Sequence, residues 1–255
     1  MSKSVAAKVA EVLNAFLPGD TRLTLTEICR RAGLPLTTGH RLVGQLTSTG
    51  MLERLPEGSY RIGARLWRIG VQAAEPRELR ELALPYLAEL YTATRDNVQL
   101  AVLRADRVLC VERLRGPTSV PVVSRVGGEL PLHATGVGKV LLAFADPETA
   151  ERVLAGPLAA HTPHTVTDPD RLRAELTEIR RTGLAHTQEE MTLGACSSAA
   201  PVRGRDDRVV AALSVTAWRH GADLRRLDPA VLEASRDLSR DLAAAWEGLV
   251  QAAFH

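Results

Sequence analysis

Between Thr37 and Ser48 the chain carries Thr37, Thr38, His40, Arg41, Gln45 and Ser48, with no acid anywhere from Thr37 to Thr49. Hydroxyls, an amide, an imidazole and a guanidinium are hydrogen-bond donors for phosphate oxygens and base edges. A helix face intended only for solvent usually mixes in Glu or Asp, so this composition fits close approach to a polyanion. Arg54 and Arg61 follow on either side of the turn-forming cluster Pro56-Glu57-Gly58.

A second stretch with chemical potential is Leu130–Phe144, LPLHATGVGKVLLAF. A turn of small and polar residues, His133-Ala134-Thr135-Gly136, leads into an apolar helix whose free N–H groups and dipole favour a carboxylate or similar oxyanion. Gly138-Lys139 does not form a P-loop, because Val140 stands where Ser or Thr would hold magnesium and the preceding glycine spacing is wrong. The bland alternative is that the glycines only let the helix pack closely on a sheet. A nucleophile would have to be Cys110 or Ser197 with His133 or His186 as base, and no local hydrolase or cysteine-enzyme signature supports either. His161 and His164 are three apart, but Pro163 between them argues for an exposed loop rather than a metal site.

These residues need elements to hold them. Thr24–Gly50 reads as two short helices broken by Gly33-Leu34-Pro35, with Thr37 as N-cap of the second. On a helical wheel Gly39, Leu42, Val43 and Leu46 share one side, while Thr37, Arg41, Gly44 and Ser48 lie opposite, flanked by His40, Thr38 and Gln45. Met51–Gly63 reads as a β-hairpin. Helix-turn-helix followed by hairpin is a winged helix, in which the second helix enters the major groove and the wing reaches backbone or minor groove. An amphipathic helix over 5–17 precedes it, and helix continues over 64–84. Pro85 then starts a new helix, 85–94, as an N1 residue or kinks the run.

Beyond it, 97–103 and 108–113 form a hairpin around Ala105-Asp106, and Ser119–Ser124 is a third strand. Asp-Pro pairs at 146–147, 168–169 and 228–229 each announce a helix, with Asp as cap and Pro at N1. Gly183 ends the second of these, strands follow at 184–189, 195–202 and 208–217, and a helix over 229–252 closes the chain. The pattern gives an α+β protein: a winged helix-turn-helix domain over 1–63, a helical linker over 64–84, and an antiparallel-sheet domain over 85–255.

Composition agrees with this division. The whole chain of 255 residues has a net charge of +2, yet residues 1–75 hold 10 Lys and Arg against 6 Asp and Glu, leaving the remainder at −2. The basic half is where nucleic acid is expected. Three cysteines, far apart and odd in number, argue for a reducing compartment. With no long apolar run, the expected location is the cytoplasm.

The order winged helix, linker, LPLHATGVGKVLLAF and GLAHTQEEMTLGACSSAAPV (Gly183–Val202) resembles the IclR family of bacterial transcriptional regulators over essentially the whole chain. The resemblance implies a GAF-like effector domain, binding of double-stranded operator DNA as a dimer or dimer of dimers, most often as a repressor, and no cofactor, metal or catalytic residue. The effector it implies is a small organic molecule, often a carboxylic, keto or aromatic acid. By the same resemblance, the effector pocket comprises Leu130, Gly136, Val137, Thr187, Glu190, Ser197, Ser214 and Thr216. Ser197 replaces a cysteine frequent in the family and Thr187 replaces an acid, and one acid fewer suits an anionic ligand.

Overall fold

The computed structural model describes residues 3–72, 74–220 and 224–253. It divides into two units, 1–77 and 78–255.

The first unit opens with α1 (Val5–Asn14), shorter than the 5–17 run because the chain turns at Ala15 ahead of Pro18-Gly19. α2 (Leu25–Ala32) begins at a capping box: Thr24 Oγ1 accepts from the Glu27 N–H, and the Glu27 carboxylate accepts from the Thr24 N–H. It ends at Gly33, whose φ of +63° is the left-handed conformation that favours glycine. α3 (Leu36–Ser48) starts two residues earlier than a cap at Thr37 would place it. Pro35, not Thr37, is its N-cap residue, and no side chain caps it. The extended Pro35 already presets the entry, which leaves Thr37 inside the first turn with its hydroxyl outward. β1 (Leu52–Arg54) and β2 (Tyr60–Ile62) form the wing, with Leu52 opposite Ile62 and Arg54 opposite Tyr60. Val12, Ile28, Leu42, Leu46, Leu52 and Tyr60 close the core of this unit. Each such aliphatic residue contributes about 1.5–3 kcal/mol by leaving water.

α4 (Ala64–Gly70) follows the wing. α5 (Ala74–Thr94) is one helix with Pro85 inside it, not a restart at Pro85. Ala83, Leu87 and Leu90 are all buried in one cluster, so a continuous apolar face spans the proline and holds the helix through the hydrogen bond it lacks.

The second unit is built on a six-stranded antiparallel sheet in the order β5-β4-β3-β8-β7-β6. Its strands are β3 (Asn97–Arg104), β4 (Arg107–Leu114), β5 (Glu129–Leu130), β6 (Ala185–Gln188), β7 (Ala195–Arg203) and β8 (Val209–Trp218). The expected strand Ser119–Ser124 is absent. Pro121 has no N–H for a ladder, and the carbonyls of Val120 and Ser124 accept instead from the side chains of Asn97 and Arg113. Glu129–Leu130 pairs with β4 in its place.

Strand alternation sorts the residues onto two faces. Val98, Leu100, Leu213 and Val215 pack with α5 and α9 (Leu224–Ala253). Ala101, Ala199 and Ala212 pack with α6 (Gly136–Ala143) and α8 (Pro169–Thr182). Asp146 and Asp168 cap α7 (Pro147–Ala155) and α8 as expected. Asp228 does not cap a helix: α9 begins before it, and its carboxylate accepts from Ser198 Oγ at 2.6 Å and bonds His186 Nε2 at 2.8 Å. Among the described residues no helix is long and apolar enough to cross a membrane.

Candidate nucleic-acid interface and ligand cavity

In α3 the buried positions are Gly39, Leu42, Val43 and Leu46. Thr37, His40, Arg41, Gln45 and Ser48 are exposed and Thr38 is half-buried, so the polar face reaches solvent. Gly39 is what lets α3 lie on α2: a Cβ added there would stand 2.1 Å from Cys29 Sγ. Ser48 Oγ already donates to the Gln45 carbonyl at 2.9 Å. On the wing, Arg54 is exposed, whereas Arg61 Nε donates to Glu53 at 2.9 Å across the hairpin. That pair lowers the Glu53 carboxyl below its ordinary range. Arg61 is therefore already engaged, through Nε, within the hairpin.

In the second unit, all eight residues singled out for a ligand line one cavity: Leu130, Gly136, Val137, Thr187, Glu190, Ser197, Ser214 and Thr216. The space between the atoms is about 480 Å³, part of it open to solvent. The sheet register explains the convergence. Thr187 faces Ser197 across β6 and β7, Ser197 faces Thr216 across β7 and β8, and Ser214 faces Gln99 across β8 and β3. Directly opposed residues share a sheet face, so hydroxyls and amides form two adjoining rows on the cavity floor.

α6 supplies the other wall. Thr135 Oγ1 caps it by accepting from the Gly138 N–H at 3.1 Å. The helix comes so close to β7 that a Cβ at Gly136 would stand 2.6 Å from Ser197 Oγ. Ser197 and Thr187 hydroxyls lie 2.6 Å apart. Glu190 is the acid on the lining, and burial pushes its carboxyl above the ordinary value, against the opposing pull of Lys139. Lys139 Nζ, itself buried, donates to Glu190 and Glu175 at 2.6 Å each. The lining thus offers several donors and one carboxylate already matched by a cation.

Gln99, Ser124, Thr135 and Met191 also line the cavity. Gln99 carried a signal that sequence reasoning left unused: with Asn97 it puts two amides at alternate positions of an otherwise apolar strand.

The groups weighed for catalysis are not brought together. His186 sits opposite Ser198, on the far sheet face from Ser197, and is held by Asp228. His133 bonds the Ala159 carbonyl through Nε2 at 2.9 Å, and burial lowers its pKa. Burial pushes the Cys110 thiol up to about 12, far from a reactive thiolate. His133 and His161 rings are neighbours at 5.7 Å, but no group of three potential metal ligands occurs among the described residues.

A winged helix with an acid-free outward helix, followed by an antiparallel-sheet unit that encloses a small cavity, defines a two-domain DNA-binding transcriptional regulator. Comparison with known proteins makes the assignment specific. Residues 5–56 match the IclR helix-turn-helix domain, and residues 71–243 match the bacterial transcriptional regulator IclR C-terminal domain. The chain belongs to the IclR family.

It is 33% identical to the glycerol operon regulatory protein of Streptomyces coelicolor over 243 residues, covering 93% of this chain and 95% of that one. It is 31% identical to the HTH-type transcriptional regulator XynR of Escherichia coli over 240 residues, 92% and 95% of the two chains. Among solved structures, an IclR homologue from Microbacterium hydrocarbonoxydans complexed with 4-hydroxybenzoate matches with a TM-score of 0.88 at 37% identity, covering 94% of this chain and 99% of that one. These relatives are regulators, and the enzyme alternative has no support.

Proposed function

We propose that this regulator binds double-stranded operator DNA through α3 and the wing, and that a small organic acid in the cavity controls that binding. The observation that carries the reading is the cavity lining, where hydroxyl and amide donors and the start of α6 converge beside a carboxylate already matched by Lys139. A site of that composition accepts an anion. The 4-hydroxybenzoate bound by the Microbacterium relative supports an aromatic acid as the first candidate.

In the DNA-bound form Arg41 contacts a guanine edge or a phosphate, with Thr37, Thr38, His40, Gln45 and Ser48 beside it and Arg54 and Arg61 at the backbone. Repression is the default mode, relieved or reinforced by the acid, in the cytoplasm. The active species is a dimer or a dimer of dimers. Trp67, Ile69 and Val71, exposed on and just after α4, support pairing through the linker at 64–84.

The test is a gel shift of the full-length protein on the DNA upstream of its own gene, with nonspecific competitor, stepped salt, and 4-hydroxybenzoate added. A discrete, competitor-resistant shift that weakens with salt and changes with the acid is the expected result. The absence of a specific shift there and in a genomic binding selection overturns the reading.

A further inference from the structure

Gln99 is 6% exposed, lines the cavity, and its Nε2 finds no hydrogen-bond partner among the described residues. That is unusual, because buried polar groups are nearly always paired, and an unpaired one is destabilising. Its neighbour in the strand shows the contrast. Asn97, also buried on this face, donates to the Val120 carbonyl at 2.8 Å and so is spoken for by the fold.

The position of Gln99 is as informative as its lack of a partner. The start of α6 lies over β7, where Gly136 abuts Ser197 and Ala199. Gln99 lies on β3, with β8 between the two strands. Two strand spacings separate these ends, roughly 10 Å. Between them β8 contributes Ser214 and Thr216 to the floor, and Val122, Leu130 and Val137 add aliphatic lining to the cavity. The cavity therefore has a donor-rich end at the helix start and, two strands away, a donor that no group among the described residues satisfies.

We infer that Gln99 is a specificity residue that receives a second oxygen of the ligand, at the end of the molecule opposite its acid group. This rests on the proposed reading of the cavity as an acid site and narrows it. The effector class becomes a two-ended molecule, with a carboxylate toward α6 and a hydroxyl or carbonyl oxygen about two strand spacings away, rather than a short acid with one polar end. Gln99 Nε2 donates, and the ligand oxygen accepts.

The probe pair is benzoate and 4-hydroxybenzoate, which differ by one oxygen at the far side of the ring. Each is titrated calorimetrically into full-length wild type, Gln99→Met and Gln99→Leu. Wild type should prefer 4-hydroxybenzoate by about fivefold, the worth of one neutral hydrogen bond. Both variants should bind benzoate as wild type does and lose the preference. Ligand-free Gln99→Met and Gln99→Leu should also unfold at the wild-type temperature or above it, since each removes an unsatisfied buried donor.

A preference retained in both variants, no preference in wild type, or a clear fall in unfolding temperature overturns the assignment. In those cases unaltered benzoate binding leaves the acid site standing. Flat titrations of wild type with both acids overturn the assignment together with the aromatic-acid reading beneath it.

Discussion

The Lys139 ammonium lies 2.6 Å from the Glu190 carboxylate, and both side chains are buried, the lysine almost completely. Glu175, half-buried on α8, takes a second ammonium hydrogen at 2.6 Å. Lys139 is thus the cation that allows an acid to face the cavity, and it ties α6 to α8 and to the segment after β6. Withdrawing the cation strands Glu190, because a buried carboxylate without a partner loses its hydration and gains nothing in return.

Lys139→Met should therefore destabilise the second unit by about 3–5 kcal/mol, the usual cost of breaking a buried pair by removing one partner. Lys139→Met combined with Glu190→Gln should recover most of that loss, since the half-buried Glu175 keeps Arg171 at 3.4 Å and no fully buried charge is left uncompensated. Urea unfolding of the two variants checks both statements, and a double variant no more stable than the single one would refute the pairing argument.

The first unit depends on an equally local contact. Gly39→Ala places a methyl 2.1 Å from Cys29 Sγ, a clash with a buried side chain on the facing helix. The expected cost is about 1–3 kcal/mol, although alanine is the better helix former. Cys29→Ala removes the sulfur, and the next nearest atom, Cys29 Cβ, is at an ordinary 3.6 Å. Gly39→Ala should be nearly harmless in that background. Thermal unfolding of the single and double variants reads the coupling; additive effects would count against it.

The winged helix was legible because its signals are local: the break at Gly33-Leu34-Pro35, the one-sided apolar face of Gly39, Leu42, Val43 and Leu46, and a hairpin turn at 56–58. The cavity residues were legible through family resemblance, which carries long-range pairing that no periodicity contains. Errors fell where tertiary contacts override local rules. Asp228-Pro229 has the same caps as the other two Asp-Pro pairs, but Ser198 and His186 claim the carboxylate. Pro85 looks like a helix start until Ala83, Leu87 and Leu90 are seen to share one buried face. Gln99 was missed because the alternation of Asn97 and Gln99 does not say which amide the fold already satisfies: Asn97 bonds the Val120 carbonyl, and Gln99 Nε2 finds no partner among the described residues.

His133 gives a pH signature of stability. Burial sets its folded pKa below the ordinary 6.5, with its bond to Ala159 opposing only in part. The unfolded chain therefore takes up this proton first as the pH falls, and unfolding is favoured. The stabilising contribution is complete above 6.5 and is lost as the pH drops through the folded pKa. His133→Gln should be less sensitive to pH than wild type in unfolding free energy as the pH falls below 6.5. Parallel curves for the two proteins would show that His133 does not titrate between states.

Arg41 is exposed on α3, and no acid shares its helix. Arg41→Ala should weaken specific operator binding by roughly 1–3 kcal/mol if the guanidinium reads a guanine, and flatten the salt slope by about one unit if it contacts a phosphate. Its unfolding curve and 4-hydroxybenzoate titration should match wild type. Unchanged operator affinity would displace α3 from the recognition role.

Ser214 tests whether the cavity governs the DNA-binding unit. It is buried between Ala199 and Gln99 in the sheet, its side chain on the cavity floor. Ser214→Leu fills part of that space with a branched side chain and removes a donor, so the acid should no longer bind. Over-packing costs about 1–3 kcal/mol, which makes Ser214→Ala a necessary companion: it removes the hydroxyl without adding volume. Both variants should shift operator DNA as wild type does in the absence of ligand. Ser214→Leu should ignore 4-hydroxybenzoate, while Ser214→Ala should need about fivefold more of it, as expected for one neutral hydrogen bond. A full response from Ser214→Leu would mean that the acid acts from some other place on the molecule, whatever the cavity holds.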